Sequence, residues 1–230
     1  MAELNGAHVL VVGATGGLGT AISKALAGAG ARVSVAGRDA DKVEALAADL
    51  GDQAAGRQNV DVTEPAFAPA LLDAAEQVAP LTGVVYAAGV VAFGPVGDLE
   101  PDVLGQLIAV NLTGPILLAA AAATRLPEGG FLANLSAVVA EMPMKNMAAY
   151  SATKAGLTGF DRALATELRR NKIKVIDVRP PHTETGLVTR ALAGTPPRLA
   201  EGLSPEQVAD RVVRAIAEDT GELASTSFSE

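Results

Sequence analysis

Short, unbroken apolar runs recur along the chain, and stretches with a helical spacing of apolar positions fill the gaps between them. Residues 8–12, 32–36, 84–88, 130–135 and 174–178 are rich in aliphatic side chains and do not alternate apolar with polar. That pattern predicts strands covered on both faces, with a weaker candidate at 57–60. Helical patterns occupy 18–29, 40–50, 64–78, 101–125, 149–171 and 205–218. The last opens with Ser204-Pro205-Glu206-Gln207, where Ser caps, Pro fits the first turn and Gln207 reaches back. Strand alternating with helix this regularly implies right-handed crossovers and a parallel sheet. The expected fold is α/β: one doubly wound parallel sheet over residues 1–230, with helices on both faces.

Composition narrows the function classes. Of 230 residues, 49% are hydrophobic and 19% charged, which suits a globular chain with ample core and excludes disorder. Aromatic residues make up only 3%, so the core must be packed from aliphatic and small side chains. A formal net charge of −8 argues against nucleic acid and anionic membrane surfaces as partners. It leaves a local phosphate-binding pocket open. Cysteine is absent, which removes disulfides, thiol catalysis and Cys-based metal sites, and two histidines far apart leave few ligands for zinc. The start of the chain carries no signal-like pattern, and the apolar run at 116–123 is too short to span a bilayer. A cytoplasmic protein is expected.

The first predicted strand runs into Gly13-Ala14-Thr15-Gly16-Gly17-Leu18-Gly19 and then a helix. Glycines there let the backbone approach a ligand closely, and the free N–H groups of a helix N-terminus favour a pyrophosphate. No Lys-Ser or Lys-Thr pair follows, so a nucleotide triphosphate loop is disfavoured. A connector that merely turns tightly is the competing reading. At the end of the first strand of a βαβ unit, a Rossmann-type dinucleotide site is the better one.

Tyr150 and Lys154 stand four residues apart at the start of a long helical pattern, so both side chains share one face. An ammonium beside a phenol favours the phenolate and lowers a pKa that is otherwise near 10, as proton transfer to a carbonyl near neutral pH requires. With its G-x-x-x-G-x-G spacing and Tyr150-Ser151-Ala152-Thr153-Lys154, the chain resembles the short-chain dehydrogenase/reductase family from about residue 7 to 220. The resemblance implies hydride transfer between a nicotinamide and a small carbonyl or alcohol, with Tyr150 as acid/base and Lys154 also holding the nicotinamide ribose. It places Gly13, Thr15, Gly17, Leu18 and Gly19 on the cofactor, Asp61 and Val62 at the adenine, and Ala88 and Gly89 beneath the cofactor. Thr183 would give backbone contacts to the carboxamide, and Thr185 would contact it or the phosphates. Asn111 would hold a water of the proton relay, and Pro115, which has no N–H, leaves the Asn111 carbonyl available. The resemblance further implies a homodimer or homotetramer built through the long helices, and a substrate lid at 186–203.

Several positions depart from the family pattern. Tyr86-Ala87 stands where the family carries two asparagines, so whatever those side chains stabilise must be replaced. Gly37 stands where NAD-specific members carry Asp, and Arg38 follows. An arginine fork suits a 2′-phosphate, and a charge-assisted bond gives roughly ten- to hundredfold preference, so NADP(H) is favoured over NAD(H). Stacking on the adenine without phosphate selectivity is the alternative for Arg38. Pro181 replaces a glycine, and His182 faces either the substrate mouth or solvent. Ala137 occupies the position of the family's catalytic serine, next to Ser136. Either Ser136 polarises the carbonyl, or Tyr150 and Lys154 act alone with a loss of roughly 10²–10³ in rate, or the protein is an NAD(P)-binding sensor with little or no catalysis.

Overall fold

Alternation along each strand decides which side chains face which layer. In the computed structural model, which describes residues 3–218 and 220–228, β1 (His8–Val12) sends Val9 and Val11 to one face and Leu10 and Val12 to the other. All five residues are buried, as a strand covered on both sides requires. Six further strands join it: β2 (Arg32–Gly37), β3 (Ala54–Asn59), β4 (Gly83–Tyr86), β5 (Phe131–Leu135), β6 (Lys174–Val178) and β7 (Glu222–Leu223). They form one sheet in the order β3-β2-β1-β4-β5-β6-β7, with every pair parallel.

Helices cover both faces. Against Val9, Val11, Val33 and Val35 lie α1 (Gly17–Gly28), α2 (Ala40–Leu50) and α7 (Pro205–Ala217), through Ile22, Leu46 and Val212 among others. Against Leu10, Val12 and Val84 lie α3 (Phe67–Glu76), α5 (Gly114–Ala122) and α6 (Ala148–Leu168), through Leu72, Leu118 and Leu164. The reciprocal cap of α7 is formed: Gln207 N–H donates to Ser204 Oγ at 3.2 Å, and Ser204 N–H donates to Gln207 Oε1 at 2.9 Å.

Three features differ from the sequence expectation. The helix expected over 101–125 is α4 (Pro101–Ile108) and α5 joined by one π turn, Ala109–Thr113. There the Gly114 N–H bonds the Ala109 carbonyl five residues back. By length and composition Pro101–Ala122 could cross a bilayer, yet Leu107, Val110, Leu118, Ala119 and Ala122 are buried in the core. Secondly, β4 ends at Tyr86, so Ala87 and Ala88 leave the sheet toward its C-terminal edge. Thirdly, β7 is a two-residue strand that no apolar run announces.

The order in which strands are added reverses between β1 and β4, one side continuing to β2 and β3 and the other to β5, β6 and β7. At such a switch point the loops diverge and leave a crevice beyond the strand ends. The glycine turn leaves β1 at that crevice.

Candidate active site

The turn after β1 closes more tightly than any side chain would allow. Gly13 has φ +77°, and a Cβ there would lie 2.4 Å from the Ala88 nitrogen. A Cβ on Gly19 would lie 2.1 Å from the Gly13 carbonyl oxygen. The Gly13 and Ala14 N–H groups bond the Ala36 carbonyl at 2.9 and 3.0 Å, and Thr20 Oγ1 donates to the Ala14 carbonyl. Helix α1 therefore begins at a fixed point with no side-chain cap and no acidic residue in its first turn. Its N-terminal dipole is left for a ligand.

That terminus opens on a cavity of about 710 Å³ along the C-terminal edge of the sheet. Among the residues expected at a cofactor, Gly13, Thr15, Gly17, Leu18, Arg38, Val62, Ala88, Gly89, Thr183 and Thr185 line it. Gly19 lies beneath the turn. Asp61 does not line the cavity: its carboxylate accepts from the Thr63 N–H at 2.9 Å and Thr63 Oγ1 at 2.8 Å. The Thr63 backbone bond holds Asp61 below its usual range. Lys42, four residues after Arg38, also lines the cavity and pairs with Asp39 at 3.1 Å. Its only sequence signal is that spacing at the start of α2. An uncapped helix end and a backbone-only turn fit a nicotinamide dinucleotide.

Tyr150 and Lys154 reach the same cavity from the first two turns of α6. Both are buried, and Lys154 Nζ lies 6.0 Å from the Tyr150 ring centre. The ammonium donates to the Leu135 carbonyl at 2.7 Å. Burial pulls the lysine down to about 8, against the opposing pull of Asp161 and Asp177. Burial also pushes the Tyr150 phenol up. The expected lowering of the tyrosine is thus outweighed in the protein alone, and the phenol is held in its proton-bearing form.

Ser136 and Ala137 directly follow β5. Ser136 Oγ donates its one proton to the Lys154 carbonyl at 2.9 Å and accepts from Thr158 Oγ1 at 3.2 Å, so the hydroxyl is turned into α6. Ser136 and the half-buried Ala137 both line the cavity. Polarisation of a substrate carbonyl by Ser136 would first break its bond to Lys154. Asn111 is fully buried in the π turn and does not line the cavity. Its amide accepts from the Val90 N–H at 3.0 Å and donates to the Val90 carbonyl at 2.9 Å, which fixes the Ala88-Gly89-Val90 wall.

Tyr86, at the first of the two positions where asparagines were expected, ties the end of β4 to the π turn. Its hydroxyl donates to the Val110 carbonyl at 2.7 Å, and Gly114 leaves the space it needs. A second buried pair, Asn134 Nδ2 donating to Asp161 Oδ1 at 2.6 Å, lies behind Lys154. Burial raises Asp161 to about 8. Neither pairing was legible beforehand, because its members are 24 and 27 residues apart.

Glycine turn, Tyr-Lys pair and switch-point cavity together define a nicotinamide-dependent oxidoreductase of the Rossmann class. Residues 7–195 match the family model described as short chain dehydrogenase. The chain belongs to the short-chain dehydrogenase/reductase family. It is 34% identical over 197 residues to the D-threitol dehydrogenase of Mycolicibacterium smegmatis, covering 84% of this chain and 76% of that one. Among solved structures it superposes on a 3-ketoacyl-(acyl-carrier-protein) reductase from Brucella melitensis complexed with NADH, with TM-score 0.85, 25% identity and 96% of each chain covered. A blue fluorescent protein from a metagenomic library in complex with NADPH gives TM-score 0.87 at 25% identity, over 99% of this chain and 100% of that one.

Proposed function

We propose that the protein is an NADP(H)-preferring oxidoreductase that reduces a small carbonyl compound or oxidises the matching alcohol. The observation that carries this reading is that the uncapped end of α1 and the Tyr150–Lys154 pair open on one cavity. Arg38 and Lys42 would hold the 2′-phosphate, and the end of α1 the pyrophosphate. Bound there, a nicotinamide supplies or accepts the hydride. Tyr150 gives its proton to the carbonyl oxygen in reduction and recovers one in oxidation. Lys154 keeps positive charge beside the phenol, and Asn111 acts at one remove by positioning the Gly89-Val90 wall.

Titration with NADPH and NADH, followed by nicotinamide fluorescence, tests the cofactor reading. NADPH is expected to bind about tenfold tighter or better, with the difference lost in Arg38→Ala. Equal affinities would sink the assignment of Arg38 to a phosphate. Tyr150→Phe is expected to keep NADPH affinity and lose about 10²–10⁴ in turnover.

One observation favours a second reading. With Ala137 at the cavity and the Ser136 proton held by the Lys154 carbonyl, Tyr150 is left among the described residues to polarise a carbonyl. A cofactor-binding protein with little turnover would have the same cavity. Unchanged NADPH oxidation in Tyr150→Phe, against any carbonyl, is the result that would favour it.

A further inference from the structure

Beyond Tyr150 the cavity changes in chemistry. Val91 and Phe93 form one wall, Val138 and Met147 another, and Leu187 and Val188 close it from the lid segment. Val91, Phe93 and Met147 are buried and share one apolar cluster with Tyr150. The lid is docked rather than loose. Leu192 N–H donates to the Val91 carbonyl at 2.8 Å, and Phe93 N–H donates to the Ala193 carbonyl at 2.9 Å. At Gly194 a Cβ would lie 1.9 Å from the Phe93 carbonyl oxygen, so the backbones touch there.

The polar side chains at the margin are already engaged within the protein. His182 Nε2 lies 3.2 Å from Glu184 Oε1. Thr183 Oγ1 donates to the Pro181 carbonyl at 2.9 Å, and the Arg190 guanidinium donates to the Thr185 carbonyl at 3.4 Å. Ala137 adds a methyl group to the same cavity. A substrate hydroxyl carried between Val91, Phe93, Val138, Met147, Leu187 and Val188 loses water and meets apolar side chains there, which weakens binding roughly five- to hundredfold for each group.

On these grounds we propose that the chamber takes ketones, or the matching secondary alcohols, whose body is hydrocarbon, and that it excludes polyols and sugars. The proposal rests on the oxidoreductase reading and names its substrate class. In the reaction, the carbonyl carbon gains hydride from the reduced nicotinamide and the carbonyl oxygen gains the Tyr150 proton. The products are the alcohol and the oxidised nicotinamide, and solvent reprotonates the phenolate.

The test is calorimetric titration of the NADPH-loaded protein with 2-octanone and with erythrulose, with NADPH oxidation followed in parallel. Octanone is expected to bind about tenfold tighter or better than erythrulose. The nearly isosteric variants Val138→Thr and Val188→Thr should each weaken octanone about fivefold, with NADPH affinity as the control for folding. Erythrulose binding as tightly as octanone, or octanone affinity indifferent to both threonines, overturns the proposal. Octanone that binds with that ranking but is never reduced supports the apolar chamber and counts against the oxidoreductase reading instead. Should NADPH itself not bind, the same ranking is expected from the protein alone.

Discussion

In the proposed reaction, Lys154 sets the pH behaviour of the site. Its ammonium is held by the Leu135 carbonyl in a buried position, and burial draws it down to about 8. Asp161 and Asp177 are the charged groups that oppose this, each favouring the cation. Below that value the lysine is charged and the phenol beside it bears its proton, the pair of states that carbonyl reduction needs. Above it the positive charge is lost. The kcat/KM for reduction is therefore expected to fall as pH rises through about 8, and a profile flat to about pH 10 would rule out this role. The positions of Tyr150 and Lys154 were readable from a four-residue spacing. Their environment was not, because burial is set by β5 and by loops distant in sequence. Ser136 shows the same limit. A hydroxyl beside the expected position is visible in the chain, but its donation to Lys154 depends on how β5 meets α6.

At the scale of elements, the apolar runs at 8–12 and 174–178 coincide with β1 and β6, because strands buried on both faces leave a plain signature. The π turn between α4 and α5 left only a partial one. Pro115 announces a missing hydrogen bond, whereas the bond from the Tyr86 hydroxyl to the Val110 carbonyl within the turn comes from a residue 24 positions away. Gly114 and Tyr86 are consequently coupled: a Cβ at 114 would lie 2.4 Å from the Tyr86 hydroxyl. Gly114→Ala is expected to cost about 1–3 kcal/mol and Tyr86→Phe about 1 kcal/mol. In a double-mutant cycle by urea denaturation, the pair should cost less than the sum of the two. Additive costs would mean that the helix and the strand end pack independently.

For the whole molecule, the buried carboxyl of Asp161 ties stability to pH. Its folded-state value, about 8, lies above the ordinary 3.8, so the folded protein binds the proton more tightly than the unfolded chain does. Stability is then greatest at acid pH with respect to this group and declines as pH rises from about 4 to about 8. Lys154 and Asp177 are the charged neighbours, and Asn134 supplies its hydrogen bond. Asp161→Asn keeps the shape without the ionisation. It is expected to raise Tm by about 5 °C near pH 8, with the gain vanishing near pH 4. A gain of equal size at both pH values would place the effect in packing. The broad architecture followed from hydrophobic periodicity, which reports burial. This buried polar pairing did not, because no local pattern links β5 to the middle of α6.

Arg179, buried at the end of β6, binds Glu141 at 3.2 Å and Glu222 at 2.7 Å. Ser225 in turn grips the Glu141 carboxylate through its N–H and hydroxyl, at 3.2 and 2.5 Å. Glu141 follows the loop that carries Ser136 and Ala137 into the cavity. Residues 222–225 thus work as a strut for that loop, with Arg179 as the joint. A tag fused hard against this segment, or a protease cut within it, would loosen the loop beside the cavity together with the β7 edge of the sheet. An assay of the protein is in this sense also an assay of how its last strand has been handled.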